Sequence, residues 1–170
     1  MGRRLPQTLP SRSHYPSVID CTGSYDRLPL YLEQSYCTLR HLTLRGRSLA
    51  CGSILFEGRI GRQLESIDLA TSKVMIGRGL EWHSAEEWEE SLRSMARKLP
   101  VTLRSLRYHE ASSDLGGPVV ALSSVFLDGL MLRLPRLRRL ERVTYEGVPT
   151  QASMALRAEC VRVGIVFASS

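Results

Sequence analysis

The stretch Leu103-Arg104-Ser105-Leu106-Arg107-Tyr108 decides the fold, because its apolar residues fall at the first, fourth and sixth places. The last two alternate with polar neighbours, as in a strand with one buried face. The first, offset by three, fits a bend leading into that strand. The same template recurs as Leu39-x-x-Leu42-x-Leu44, Leu64-x-x-Ile67-x-Leu69 and Leu140-x-x-Val143-x-Tyr145. With 26 leucines in 170 residues, the repeated strand unit organises the chain.

Working outward, Leu99-Pro100 precedes Leu103 and Leu134-Pro135 precedes Leu137, in each case at a place where proline ends a helix. A weaker fifth copy reads Ala158-x-x-Val161-x-Val163, continuing as a strand through Gly164 to Phe167. An early sixth reads Tyr15-x-x-Val18-x-Asp20. Helical signals lie between the strands. Ser84-x-x-Glu87 forms a capping box, and Trp88, Leu92, Met95 and Leu99 share one face after it. Val119, Leu122, Phe126 and Leu130 line a second helix after Pro118, ending near Leu134-Pro135. Thr150 caps a third through Glu159, and Asp26 with Pro29 opens one to Tyr36. The expected fold is α/β, with parallel strands alternating with helices and long loops at 70–83 and 109–118.

The stretches Leu39 to Gly46, Leu64 to Leu69, Leu99 to Tyr108 and Leu134 to Gly147 resemble the degenerate leucine-rich repeats of eukaryotic F-box and related proteins, especially irregular fungal ones. The resemblance covers roughly Asp26 to Phe167 and implies a short, irregular leucine-rich-repeat solenoid. It also implies a ubiquitin-ligase adaptor whose repeats capture a substrate. First leucines 25, 39 and 37 residues apart make the array irregular. Residues 1–25 show no recognisable F-box and read as a partly irregular N-terminal segment, leaving 26–170 as the repeat-like domain.

A chain of 170 residues with 43% hydrophobic and 24% charged residues reads as one soluble domain. The longest apolar stretch, Leu115 to Leu134, is interrupted by Gly116, Gly117, Pro118, Asp128 and Arg133, which excludes a membrane span. Arg3, Arg4 and Arg12 precede any acid, as in a transit peptide, but Pro6, Pro10 and Pro16 break the helix such a peptide needs. The expected location is cytoplasmic or nuclear. Cys21, Cys37, Cys51 and Cys160 lack metal-ligand spacing and read as reduced thiols. The net charge of +6 is carried by 23 basic residues, of which only Lys73 and Lys98 are lysines, so the arginine skew alone does not argue for a phosphate partner.

The chain holds no GxSxG elbow, no GxxxxGK[ST] loop and no HExxH, while Gly58-Arg59-Ile60-Gly61 and Gly77-Arg78-Gly79 read as turns. The expectation is a non-catalytic protein-interaction module without cofactor or metal. In a repeat sheet the residues between the buried ones face outward, which selects Thr43, Arg45, Asp68, Arg107, His109, Thr144, Glu146 and Arg162 as partner-binding candidates. Their mixed sign suits a protein partner better than a polyanion; the competing reading is a merely solvated face. The alternative function is nucleic-acid or anion binding through the cluster Arg133, Arg136, Arg138, Arg139 and Arg142, with Arg136, Arg138 and Arg139 as its contacts. No aromatic residues interleave there as stacking platforms, and a solvated face around Leu134, Leu137 and Leu140 is the preferred reading of the cluster.

Overall fold

Each of the four template copies forms a strand entered through a bend, and its three apolar side chains point into one core. All twelve of those side chains are at most 5 % exposed. The computed structural model describes residues 20–21, 39–45, 49, 52–58, 61–71, 85–110 and 118–169. Its strands are β1 (Asp20–Cys21), β2 (His41–Arg45), β3 (Ser66–Ala70), β4 (Ser105–His109), β5 (Arg142–Glu146) and β6 (Val166–Ser169). They form one parallel sheet in which spatial order equals chain order.

Parallel neighbours require a crossover between them. Here the crossovers carry α1 (Gly52–Glu57), α2 (Ala85–Arg97), α3 (Pro118–Arg133) and α4 (Gln151–Arg162). The short α1 had no counterpart among the helices expected from sequence. α2 packs between α1 and α3, and α3 also packs against α4, so the helices line up beside the sheet in the order of the strands. Trp88, Leu92 and Met95 of α2, Phe126, Leu127 and Leu130 of α3, and Leu156 and Cys160 of α4 join the strand leucines in a single buried cluster.

Register makes the template a ladder. Leu42, Ile67, Leu106, Val143 and Phe167 lie side by side across β2 to β6, as do Leu44, Leu69, Tyr108, Tyr145 and Ser169. The strand entries repeat as faithfully. The carbonyl of Arg40 accepts the amides of Glu65 at 2.8 Å and Ser66 at 3.0 Å, that of Glu65 those of Arg104 and Ser105, and that of Arg104 those of Glu141 and Arg142. One oxygen thus receives two successive amides at the entries to β3, β4 and β5, while at β6 the Glu141 carbonyl accepts the Val166 amide alone.

The two weaker copies are corrected by this register. Ala158 and Val161 lie in α4, and β6 begins only at Val166, with Phe167 opposite Val143. The Thr150 hydroxyl accepts the Ser153 amide at 3.1 Å while Ser153 Oγ accepts the Thr150 amide at 2.9 Å, so a capping box starts the helix firmly. The buried Leu156 and Cys160 then carry it past Glu159, and Gly164, at φ 78°, ends it in the left-handed conformation a helix C-terminus favours. At the other edge Asp20 lies opposite Thr43 and Cys21 opposite Leu44, one residue out of step with the Val18-x-Asp20 reading. A slip of one exchanges the faces of a strand. Asp20–Cys21, assigned from sequence to the segment 1–25, therefore joins the sheet.

α2 and α3 stand where the apolar periodicity predicts them, with Leu134–Arg136 closing α3 as a turn of 3-10 helix. Ser84 of the predicted capping box, the helix from Asp26 to Tyr36, and the loop interiors 72–84 and 111–117 lie outside the described residues. Among the described residues no helix is long and apolar enough to cross a membrane.

Candidate functional site

The sheet face turned away from the helices carries the residues between the buried ones. Thr43, Asp68, Arg107 and Thr144 lie in one row across β2 to β5, and Arg45, Ala70, His109 and Glu146 lie in the next. Six of the seven candidates in the two rows, Arg45, Asp68, Arg107, His109, Thr144 and Glu146, reach solvent at least in part. Thr43 does not. It is 8 % exposed and belongs to the buried set, contrary to the expectation from its place in the template. Arg162 is also excluded from this face, because it lies in the last turn of α4, where its Nε donates to Glu159 at 2.8 Å.

Three of these side chains are tied together. Arg107 Nε donates to Glu146 Oε1 at 2.7 Å with a second bond from Nη2, and His109 Nδ1 lies 3.1 Å from Glu146 Oε2. The geometry follows from the ladder, since His109 is directly opposite Glu146 and Arg107 is its diagonal neighbour two residues back on β4. The hydrogen bond from Arg107, supported by that from His109, holds the Glu146 carboxyl below the usual carboxylate range. Arg107 is raised in turn, first by its bond to Glu146 and more weakly by the charge of Asp68. Acid and base are thus matched within the cluster. It presents fixed donors and acceptors without a strong excess of either sign.

Behind it, where the strands exit, a polar network is built into the core. Tyr145 donates its hydroxyl to Glu110 Oε2 at 2.6 Å and lies 2.9 Å from the Val148 carbonyl, while the Tyr108 hydroxyl lies 3.2 Å from Ser123 Oγ. Tyr108 stacks on Phe126 with ring centroids 4.7 Å apart. Burial pushes both tyrosine phenols well above their ordinary range. Glu110, 5 % exposed, follows His109 directly, so the network stiffens the end of β4 that presents the histidine.

The arginine cluster is divided by its surroundings. Arg133 turns inward and donates from Nη2 to the Leu99 carbonyl at 2.9 Å, just past the end of α2, and burial lowers its basicity. Leu134, Leu137 and Leu140 are buried as predicted, while Arg136, Arg138, Arg139 and Arg142 are exposed. Arg139 also lines a cleft at the strand entries with Arg40, Arg62, Gln63, Glu65 and Thr102.

Sequence reading missed this entry edge. The second place of the four templates reads Arg40, Glu65, Arg104, Glu141, an alternation of charge in plain view. Arg40 pairs with Glu65 at 2.9 Å, and Arg104 with Glu141 at 3.5 Å. Among the described residues no three His, Cys, Asp or Glu side chains converge as a metal site. No family model matches the chain, and neither a curated protein nor a solved structure matches it.

Proposed function

We propose that the chain is a short leucine-rich-repeat-like array that binds a partner protein on its open sheet face without catalysis, as the substrate-recognition part of a ubiquitin-ligase adaptor in the cytoplasm or nucleus. The observation that carries this reading is the aligned, charge-matched set Asp68, Arg107, His109 and Glu146 on the face opposite the helices. Side chains already held by one another lose little freedom on binding, and a mixed-sign surface selects a partner by complementarity. A phosphate backbone demands uniform positive charge, which this face lacks.

The test is the combined variant Asp68→Lys, Arg107→Glu, Glu146→Lys, which reverses the pattern while keeping opposite charges adjacent. It is expected to lose partners that crosslink specifically to the wild-type open face, with stability within about 0.5 kcal/mol, as for most exposed substitutions. Crosslinks unaffected by the reversal refute the reading. A second reading, anion or nucleic-acid binding, draws on Arg136, Arg138 and Arg139, which are exposed and form no ion pair among the described residues. It requires affinity that falls steeply with salt and depends on those three arginines.

A further inference from the structure

Four successive strand entries converge on one cleft of about 280 Å³. Arg40 stands before β2, Arg62 and Gln63 before β3, Thr102 before β4 and Arg139 before β5. Its floor is fixed by two devices. Gly61 begins the turn that carries Arg62, and a Cβ there would lie 2.0 Å from the Phe56 carbonyl oxygen, so the turn sits closer to the end of α1 than any side chain allows. Thr102 then fastens that turn to the next entry by donating its hydroxyl to the Leu64 carbonyl at 2.8 Å.

The charges leave a defined surplus. Glu65 is matched by Arg40 at 2.9 Å, whereas Arg62 and Arg139 have no hydrogen-bond or ion-pair partner among the described residues. Two arginines without an ion-pair partner among the described residues therefore line one small cleft. Their planar forks bind tetrahedral oxyanions through paired hydrogen bonds, and a phosphate monoester carries about −1.5 to −2 at pH 7, matching two arginines.

We propose that this cleft binds a single phosphate group, free or as a monoester, held by Arg62 and Arg139 with Arg40 at its rim. The site is separate from the open sheet face and does not depend on the function proposed for it. A nucleic-acid strand is the poorer occupant. Its successive phosphates would run along the entry row and meet Glu65 and Glu141, which alternate with the arginines.

The experiment is an NMR titration of the full chain at constant ionic strength. The probes are inorganic phosphate, a short phosphothreonine peptide, its unphosphorylated counterpart and a single-stranded oligonucleotide. Shifts are expected at residues 61–65, 102 and 139 with the phosphorylated probes and not with the unphosphorylated peptide. Arg62→Gln with Arg139→Gln is expected to weaken binding at least about tenfold, the effect of losing one charged hydrogen bond. Arg136→Gln with Arg138→Gln is expected to leave it unchanged, and circular dichroism checks that both variants are folded. Tighter binding of the phosphopeptide than of inorganic phosphate supports the site with a modified side chain as its ligand; equal binding supports it with free phosphate. Binding that survives Arg62→Gln with Arg139→Gln, or an oligonucleotide that outcompetes both phosphate probes, overturns the proposal.

Discussion

Replacing Tyr145 by phenylalanine removes one oxygen atom and leaves the ring, so it tests the polar network without opening a cavity. The structure supplies its own control in Tyr108, which is buried to the same degree and lies opposite Tyr145 in the ladder, with ring centroids 6.2 Å apart. The hydroxyls differ in their partners. That of Tyr108 meets the Ser123 hydroxyl at 3.2 Å, a neutral pair worth about 1 kcal/mol. That of Tyr145 meets the buried Glu110 carboxyl at 2.6 Å and the Val148 carbonyl at 2.9 Å. Hydrogen bonds to charged groups such as a carboxylate reach about 1.5–3 kcal/mol, and losing this one leaves a buried acid short of a donor.

Tyr145→Phe is therefore expected to cost about 2–3 kcal/mol and Tyr108→Phe about 1 kcal/mol. For a domain of this size 1 kcal/mol shifts Tm by about 2–4 °C, so the two variants are expected to melt about 4–12 °C and 2–4 °C below wild type. Adding Glu110→Leu to Tyr145→Phe removes both partners of the buried pair and is expected to recover much of the loss, because no buried carboxyl is then left without its donor. Urea unfolding of wild type, Tyr145→Phe, Glu110→Leu and the double variant completes the cycle, with Tyr108→Phe measured beside it as the control. Equal losses for the two tyrosines, or additive losses for Tyr145→Phe and Glu110→Leu, would refute the assignment of the network to that hydroxyl.

Leu106→Ala, at the centre of the ladder and fully buried, is expected to destabilise by about 2–5 kcal/mol in urea titrations, and Leu42→Ala and Leu140→Ala likewise. Thr150→Ala removes the acceptor of the Ser153 amide and is expected to cost about 1 kcal/mol, with amide exchange quickening first in the opening turn of α4. Because burial raises the Tyr108 phenol in the folded protein, the unfolded form binds fewer protons above the ordinary tyrosine pKa of about 10. Stability from this group is complete below that pH and falls as pH rises beyond it, so phenolate absorbance is expected to appear together with loss of circular dichroism. Cys160, whose thiol burial pushes up to about 11, is expected to resist alkylation at neutral pH until the chain unfolds, as read by mass spectrometry.

The central strands were legible because burial itself writes their pattern. A side chain that must face the helices on every second residue leaves alternating leucines, and the strict register of a one-faced sheet preserves them. The edges were not. Val161 and Val163 satisfy the strand template as well as Phe167 does, and a short apolar run does not reveal whether helix or strand buries it. The strand template ignored the Thr150–Ser153 cap and the Gly164 stop that decide the matter. Thr43 shows the converse failure, since an in-between position on an open face is exposed only where nothing covers it, and its 8 % exposure is set by tertiary surroundings. The Tyr145–Glu110 bond joins residues 35 apart, and the entry cleft gathers side chains from four strand entries. Local spacing holds no trace of the first, and of the second it shows only the alternating charges at the second template place, not their convergence with Arg62 and Arg139.

The six-residue template assigns different tasks to neighbouring places. The first, fourth and sixth places build the core, the fifth projects onto the open face, and the second stands at the strand entry. Because these directions are set by the backbone, charge changes at the second place leave the fifth untouched. The alternation Arg40, Glu65, Arg104, Glu141 pairs neighbouring entries at the surface, where each pair contributes at most about 1 kcal/mol. That is too little to hold the fold, which the buried ladder already secures. Its physical effect is to cancel charge along the entry row, so that Arg62 and Arg139, outside the template, stand out as the cationic pair in the cleft. The open face is balanced by a different device, the diagonal tie of Arg107 to Glu146. One repeated backbone thus carries two polar surfaces whose charges are set independently, so that a change at either leaves the charge of the other as it was.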